Sequence, residues 1–242
     1  MNNNKIYLDE ITSTNSFLKE LCKTSNIDEG TIVWTGFQTA GRGQKGNVWE
    51  SEVSKNLLFS IVLYPHFLKI NEQFIISQAI SLAIKDVLDE YIGDICIKWP
   101  NDIYWKNKKI CGILIENELM DEKICFSIIG IGININQQQF VSDAPNPVSL
   151  RQITGQGYNR ETILNAIQEK ILAVYNLLGS SKKAVSERYK QSLYRQSGYF
   201  GFRDKDGKFK AQIKDVTDNG FLILQTEDGI EKQYAFKEVR FI

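Results

Sequence analysis

Residues 95–135 read ICIKWPNDIYWKNKKICGILIENELMDEKICFSIIGIGINI. Three or four apolar or alternating stretches are punctuated by Pro100-Asn101-Asp102, Lys106-Asn107 and Asp121-Glu122. Runs of this kind bounded by turn residues predict strands joined by a turn and a hairpin. The segment is therefore expected to form the antiparallel centre of a sheet.

Upstream, a short strand is expected over 5–8, followed by STNSFLKELCK, where Ser13 or Thr14 can cap a helix whose apolar face is Phe17, Leu18, Leu21 and Cys22. TIVWTGFQ (31–38) and NLLFSIVLYP (56–65) read as strands, the second buried on both sides and ended by Pro65. From Asn71, Ile76, Ile80, Ala83, Ile84, Val87, Leu88 and Tyr91 recur at helical spacing, giving a long helix that packs on the sheet and ends near Gly93.

Downstream, 136–159 is polar and expected to be a loop with an ordered piece at VSLRQI. Ile163, Leu164, Ile167, Ile171, Val174, Tyr175 and Leu178 then form a helical stripe stopped by Gly179, and a more charged helix spans about 182–193. Beyond Gln196 the period becomes two, with hairpin turns at Asp206-Gly207, Asn219-Gly220 and Asp228-Gly229. Five short strands there predict a small barrel. A boundary near Tyr194 divides the chain into a larger domain, 1–194, and a smaller one, 195–242.

The composition fits this division. At 242 residues, 43% hydrophobic and 24% charged, the chain can bury one large core and one small one. Lys+Arg and Asp+Glu are equal at 29 each, so no global positive field draws it onto nucleic acid or anionic lipid. Four dispersed cysteines and a single histidine, His66, make no metal-binding pattern, and the thiols are expected to be reduced and mostly buried. MNNNKIYLDE lacks the apolar core of a signal peptide, and no apolar run approaches the roughly 18 residues of a membrane span. A soluble cytoplasmic protein is expected.

QTAGRGQKGNVWES, residues 38–51, holds Gly41, Gly43 and Gly46 in the spacing G-x-G-x-x-G. A dinucleotide-binding turn needs a helix opening on the last glycine and an acid about 20 residues on. Here a strand follows instead, which counts against that reading. Arg42 and Lys45 among glycines form an anion-binding surface suited to phosphate, or else a solvated loop with two ordinary cations. Trp49 favours the former, since an indole beside such a loop offers a face on which a base stacks. Lys98 closes an apolar strand before Pro100 and either points into a site or snorkels past Trp99 at a sheet edge.

Together these residues resemble the biotin protein ligases, or biotin–acetyl-CoA-carboxylase ligases. The matches occur in that family's order: Ser13-Thr14-Asn15, Gln38 with Gly41-Arg42-Gly43, Trp49, Lys98-Trp99-Pro100-Asn101-Asp102, Cys111 to Glu116, and Gly130 to Asn134. The resemblance implies an α+β fold, a mixed and largely antiparallel sheet packed with helices, followed by a small C-terminal SH3-like β-barrel.

It also implies a two-step reaction. The biotin carboxylate attacks the α-phosphorus of ATP to give biotinyl-5′-AMP and pyrophosphate. A lysine of a biotin carboxyl carrier protein, that of acetyl-CoA carboxylase or a related enzyme, then takes the acyl group as an amide. A carboxylate is already ionised at pH 7, so the first step calls for charge stabilisation and in-line positioning.

By this likeness Lys98 and Arg42 are the catalytic cations, assisted by Mg²⁺ on the ATP phosphates, with no metal ligand assigned on the protein. Ser13, Thr14 and Gln38 bind the ureido ring with backbone of Gly41, Gly43 and Gln44, although Ser13 is equally explained as a helix cap. Gly112, Ile113 and Leu114 enclose the valeryl chain, and Trp49 covers the adenine. Asn15 and Asn134 are candidates for ribose, phosphate or metal contacts. Asp102 is a candidate for deprotonating the carrier lysine.

Many members of that family carry more arginines in the loop. Gln44 stands here after Gly43, and faster loss of biotinyl-AMP is expected. The Ser13-Thr14-Asn15 motif comes so early that no DNA-binding module is expected ahead of it, and a homodimer is left open. Two other readings compete: a lipoate or octanoate ligase of similar architecture, and a nucleic-acid-binding module, which the zero net charge disfavours.

Overall fold

A computed structural model describes residues 4–44, 47–142 and 146–242. The elements in chain order are β1 (Lys5–Ile11), α1 (Thr14–Thr24), β2 (Ile32–Gln38), β3 (Leu57–Leu63), α2 (Phe74–Asp89), β4 (Ile95–Lys98), β5 (Asp102–Trp105), β6 (Lys108–Met120) and β7 (Lys123–Ile133). They continue with α3 (Leu150–Thr154), α4 (Arg160–Leu177), α5 (Lys182–Gln191), β8 (Phe200–Asp204), β9 (Gly207–Val216), β10 (Leu222–Thr226), β11 (Glu231–Tyr234) and β12 (Arg240–Phe241).

Seven strands form one mixed sheet in the order β1-β2-β3-β7-β6-β5-β4. Only β1 and β2 run parallel, joined by the crossover helix α1. The β4 to β7 segment, expected at the centre, reaches from the centre to one edge: β7 is the middle strand and β4 the outermost. The reason lies in β3, a strand apolar but for Ser60 and buried along its whole length, which takes the place beside β7. The β6–β7 hairpin turns through Asp121 and Glu122, both at positive φ (49° and 62°), the backbone that suits a two-residue turn between twisted strands.

The two sheet faces carry different loads. One packs Ile32, Leu57, Phe59 and Ile61 with Ile76, Ile80 and Ile84 of α2 and Ile163, Ile167 and Ile171 of α4 in the main core. The other packs Val33, Val62, Phe126 and Ile128 against Leu18 of α1, with Leu21 and Cys22 alongside. Phe17, expected on the same helical stripe, is instead exposed. Because α1 covers only part of this second face, the remainder along β6 and β7 stays open to the 38–51 loop.

Among the thiols only Cys111 is fully buried, and the other three are half-buried, fewer than expected. Burial pushes the Cys96 thiol up to about 11 and Cys111 higher still. The helix α4 ends at Leu177, capped by Leu178 with Gly179 following, yet the left-handed helix-ending backbone belongs to Gly155 after α3, φ 79°.

The second sheet is antiparallel in the order β11-β10-β9-β8-β12, the small C-terminal SH3-like unit expected, with no ladder between its edge strands β11 and β12. Phe202, Ala211, Val216, Leu222, Leu224 and Tyr234 fill its interior. It meets the large sheet where the Trp99 indole N–H donates to the Gly220 carbonyl (3.0 Å) and Lys190 pairs with Asp215 (2.6 Å).

Candidate active site

The open part of the second face is floored by backbone. In register across the sheet, Gly112 of β6 lies opposite Gly132 of β7, and Gly132 opposite Leu58 of β3; one step along, Leu114, Gly130 and Ser60 form the next row. The Trp49 indole rests on the glycine pair. A Cβ at Gly132 would stand 2.4 Å from Trp49 Cε2, and one at Gly112 would stand 2.7 Å from Cζ3. A Cβ at Gly130 would lie 2.2 Å from Asn15 Oδ1. Only glycine at these positions lets the side chains lie on the strands.

Beside this floor runs a polar row from the start of α1. The Thr14 amide and hydroxyl both donate to Gln38 Oε1 (2.8 and 3.1 Å). The buried Ser60 hydroxyl lies 2.7 Å from Thr14 Oγ1 and 2.6 Å from Asn15 Oδ1. Asn15 Nδ2 donates to Glu116 Oε2 (2.7 Å) on β6. Ser13 takes the N-cap position, but its side chain makes no capping hydrogen bond. The cap explanation therefore does not consume its hydroxyl.

The described arms of the 38–51 loop, 38–44 and 47–51, fold back on each other as a flap. Arg42 pairs antiparallel with Val48, the Gly43 amide donates to the Asn47 carbonyl (2.7 Å), and the Trp49 amide donates to the Gly41 carbonyl (3.1 Å). Lys45 and Gly46, the remaining cation and glycine of the sequence motif, lie outside the described residues. The Arg42 guanidinium donates to Glu116 Oε2 and to Ser16 Oγ, both at 3.2 Å.

Three buried polar atoms here have no hydrogen-bond partner among the described residues: Gln44 Oε1, Trp49 Nε1 and Asn134 Oδ1. Each such group costs roughly 1–3 kcal/mol, which a ligand supplying the matching donor or acceptor recovers. Two acceptors and one donor thus stand ready for a polar heterocycle or a sugar.

A cationic end completes the site. Lys109 pairs with Asp102 at 2.7 Å, and its ammonium lies 5.8 Å from the centre of the Trp49 ring. Lys98 is set further back, donating to the Tyr104 hydroxyl (3.1 Å) and facing the rings of Tyr104 and Phe241. Burial lowers the Lys98 pKa; Asp102 opposes this, and Lys109 and Arg195 add to it. Three cations against one carboxylate make a field suited to an anion.

The structure thus brings Ser13, Thr14, Asn15, Gln38, Gly41, Arg42, Gly43, Gln44, Trp49, Gly112, Leu114 and Asn134 around one floor, with Asp102 and Lys98 at its cationic end. Ile113 stands apart, since its side chain faces the main core and its carbonyl accepts from Asn101 Nδ2 (2.8 Å). Lys109, Glu116 and Ser60 are the functional candidates that the sequence reading missed. For Lys109 the cause is a bulge: Ile103 pairs with Cys111 but Tyr104 with Lys109, so one extra residue on β6 turns Lys109 to the Gly112 face. Strict alternation along β6 would turn it the other way. Among the described residues no group of three or more His, Cys, Asp or Glu side chains is placed to hold a metal ion.

Comparison with known proteins agrees with this geometry. Residues 7–134 match the biotin/lipoate A/B protein ligase family, and residues 202–237 match the biotin protein ligase C terminal domain. The bifunctional ligase/repressor BirA of Bacillus spizizenii is 33% identical over 97% of this chain and 73% of its own length. A solved biotin protein ligase from Aquifex aeolicus, in complex with biotin and ATP, is 27% identical with a TM-score of 0.80, each chain covered completely. A biotin protein ligase from Leishmania major, in complex with biotinyl-5-AMP, shares the fold at a TM-score of 0.68, 23% identity, with 96% and 98% of the two chains covered. Matched in both of its sheets and across nearly its whole length, the chain belongs to the biotin/lipoate A/B protein ligase family.

Proposed function

We propose that this protein activates biotin as biotinyl-5′-AMP and transfers the biotinyl group to a lysine of a carrier protein, the biotin carboxyl carrier protein of acetyl-CoA carboxylase or a related enzyme. The observation that carries this is the glycine floor under Trp49, bordered by unpartnered buried polar atoms and ending at the Lys109–Asp102 pair. The bicyclic acid lies beside the floor that the Trp49 indole covers, with its ureido group toward the Thr14–Gln38 row and its carboxylate toward the cations. Residues 1–194 serve as the catalytic domain and 195–242 as its small partner domain, acting in the cytoplasm.

In the first step Lys109 and Arg42 offset charge at the carboxylate and α-phosphate, and Lys98 adds to the field from behind Tyr104. Mg²⁺ on the ATP phosphates would neutralise their charge, and the Asn134 carboxamide oxygen is the protein group that would hold it. In the second step the amine of the carrier attacks the acyl carbon and AMP leaves. The flap and Trp49 keep water from the mixed anhydride.

Incubation with ATP, Mg²⁺, labelled biotin and a biotin-carrier domain is expected to label one carrier lysine, and failure to label it overturns the reading. Lipoic acid in a parallel reaction tests the other branch of the family. Asp102→Asn, given preformed biotinyl-AMP so that the first step is bypassed, is expected to transfer roughly 10²-fold more slowly, the lower range of a general base. Transfer at the wild-type rate removes Asp102 from that role. Gln44→Arg adds a cation beside the flap and is expected to slow release of labelled biotinyl-AMP; an unchanged release rate rules against a charge deficit in this loop.

A further inference from the structure

We propose that Glu116 is a positioning residue that latches the flap to the sheet. One carboxylate oxygen, Oε2, receives both Arg42 of the flap (3.2 Å) and Asn15 Nδ2 of α1 (2.7 Å), while Arg42 also reaches Ser16 on the same helix (3.2 Å). Three elements, β6, α1 and the flap, are therefore tied at a single charge. Glu116 stands on the same sheet face as Gly112, so the latch lies in line with the floor that Trp49 covers.

The latch acts at two points. Through Arg42 it holds the first strand of the flap, whose partner strand carries Trp49, so loss of the ion pair frees the indole from the glycines. Through Asn15 it orients the amide so that Oδ1 faces Ser60 and the polar row remains in place. The pair is only partly buried, with 48% and 30% of the two side chains exposed. It is therefore weak enough to open for substrate entry and sensitive to salt.

A neighbouring pair gives a control. Two residues along the same strand face, Glu118 pairs with Lys19 of α1 at 2.7 Å, with 35% of each side chain exposed, and pairs with no flap residue among those described. Glu116 and Glu118 both tie β6 to α1, and among the described residues the first alone also ties the flap.

The test uses the free protein, so it stands whether or not biotin proves to be the substrate; only the last readout rests on the proposed function. In Glu116→Gln, which keeps an acceptor for Asn15 and removes the carboxylate charge facing Arg42, the amides of Gly43 and Trp49 are expected to exchange with solvent about three-fold faster, the effect of an exposed ion pair. Raising NaCl from low to molar concentration is expected to bring the wild type to the Glu116→Gln rate and to leave the variant unchanged. Glu118→Gln is expected to leave flap exchange at the wild-type rate. Release of labelled biotinyl-AMP is expected to follow the same order, with faster loss from Glu116→Gln alone. Wild-type exchange in Glu116→Gln, or equal acceleration in Glu118→Gln, overturns the latch.

Discussion

Lys109→Ala is expected to slow biotin-dependent exchange of pyrophosphate into ATP by 10² to 10³. Lys109 sits at the floor, its side chain 25% exposed and paired with Asp102, its ammonium facing the Trp49 ring. Removing it takes a cation from where an oxyanion and a phosphate meet and leaves the Asp102 carboxylate facing them. Loss of one preorganised donor of this kind costs about 2.7–4 kcal/mol of transition-state stabilisation. Lys98→Ala is expected to lose less than about tenfold, as befits a partly screened charge acting at a distance. Adding Asp102→Asn to Lys109→Ala removes the exposed anion and is expected to restore part of the loss, a coupling that a double-mutant cycle measures. If Lys98→Ala proves the more damaging, the catalytic cation is the one that the sequence resemblance assigned.

Gly132→Val is expected to weaken biotin binding by roughly 10- to 100-fold while the fold persists, the 1–3 kcal/mol range of an aromatic stacking contact. Here the backbone cannot retreat, because β7 is hydrogen-bonded to β3 on one side and β6 on the other. The new Cβ would stand 2.4 Å from Trp49 Cε2 and 2.7 Å from Nε1, so the indole must leave the floor. Valine suits a strand, and unfolding by urea is expected to keep its slope, with stability changed by about 1 kcal/mol. Titration calorimetry with biotin measures the effect. Unaltered affinity in a folded variant separates Trp49 from ligand binding.

The legible and illegible parts of the site differ for a physical reason. Gly112, Gly130 and Gly132 are local signals, since a glycine inside an apolar strand marks a close approach of some other group. The polar row was legible for a similar reason: Ser13, Thr14 and Asn15 are consecutive and start a helix. The strand order was not, because nothing local distinguishes β4 at the edge from β7 in the middle. Lys109 was hidden twice, once in the charged run KNKK that reads as an ordinary hairpin turn, and once by the bulge that changes its face. Ile113 erred in the opposite sense, placed at the site by its motif and turned to the core by its register.

The loop that resembled a dinucleotide turn also illustrates the difference between spacing and context. Gly41 and Gly43 serve a flap, where Arg42 and Val48 pair in a single bridge and the next element is the strand β3.

The four tryptophans are held in unlike ways. Trp34 packs on Tyr7 and faces Arg160, Trp99 donates to Gly220, and Lys106 lies over Trp105. Trp49 rests on bare backbone, with its indole N–H bonded to nothing among the described residues. The molecule therefore carries its own fluorescent gauge: emission from Trp49 reports occupancy of the floor against a constant background from the other three indoles, and a Trp49→Phe protein supplies the blank.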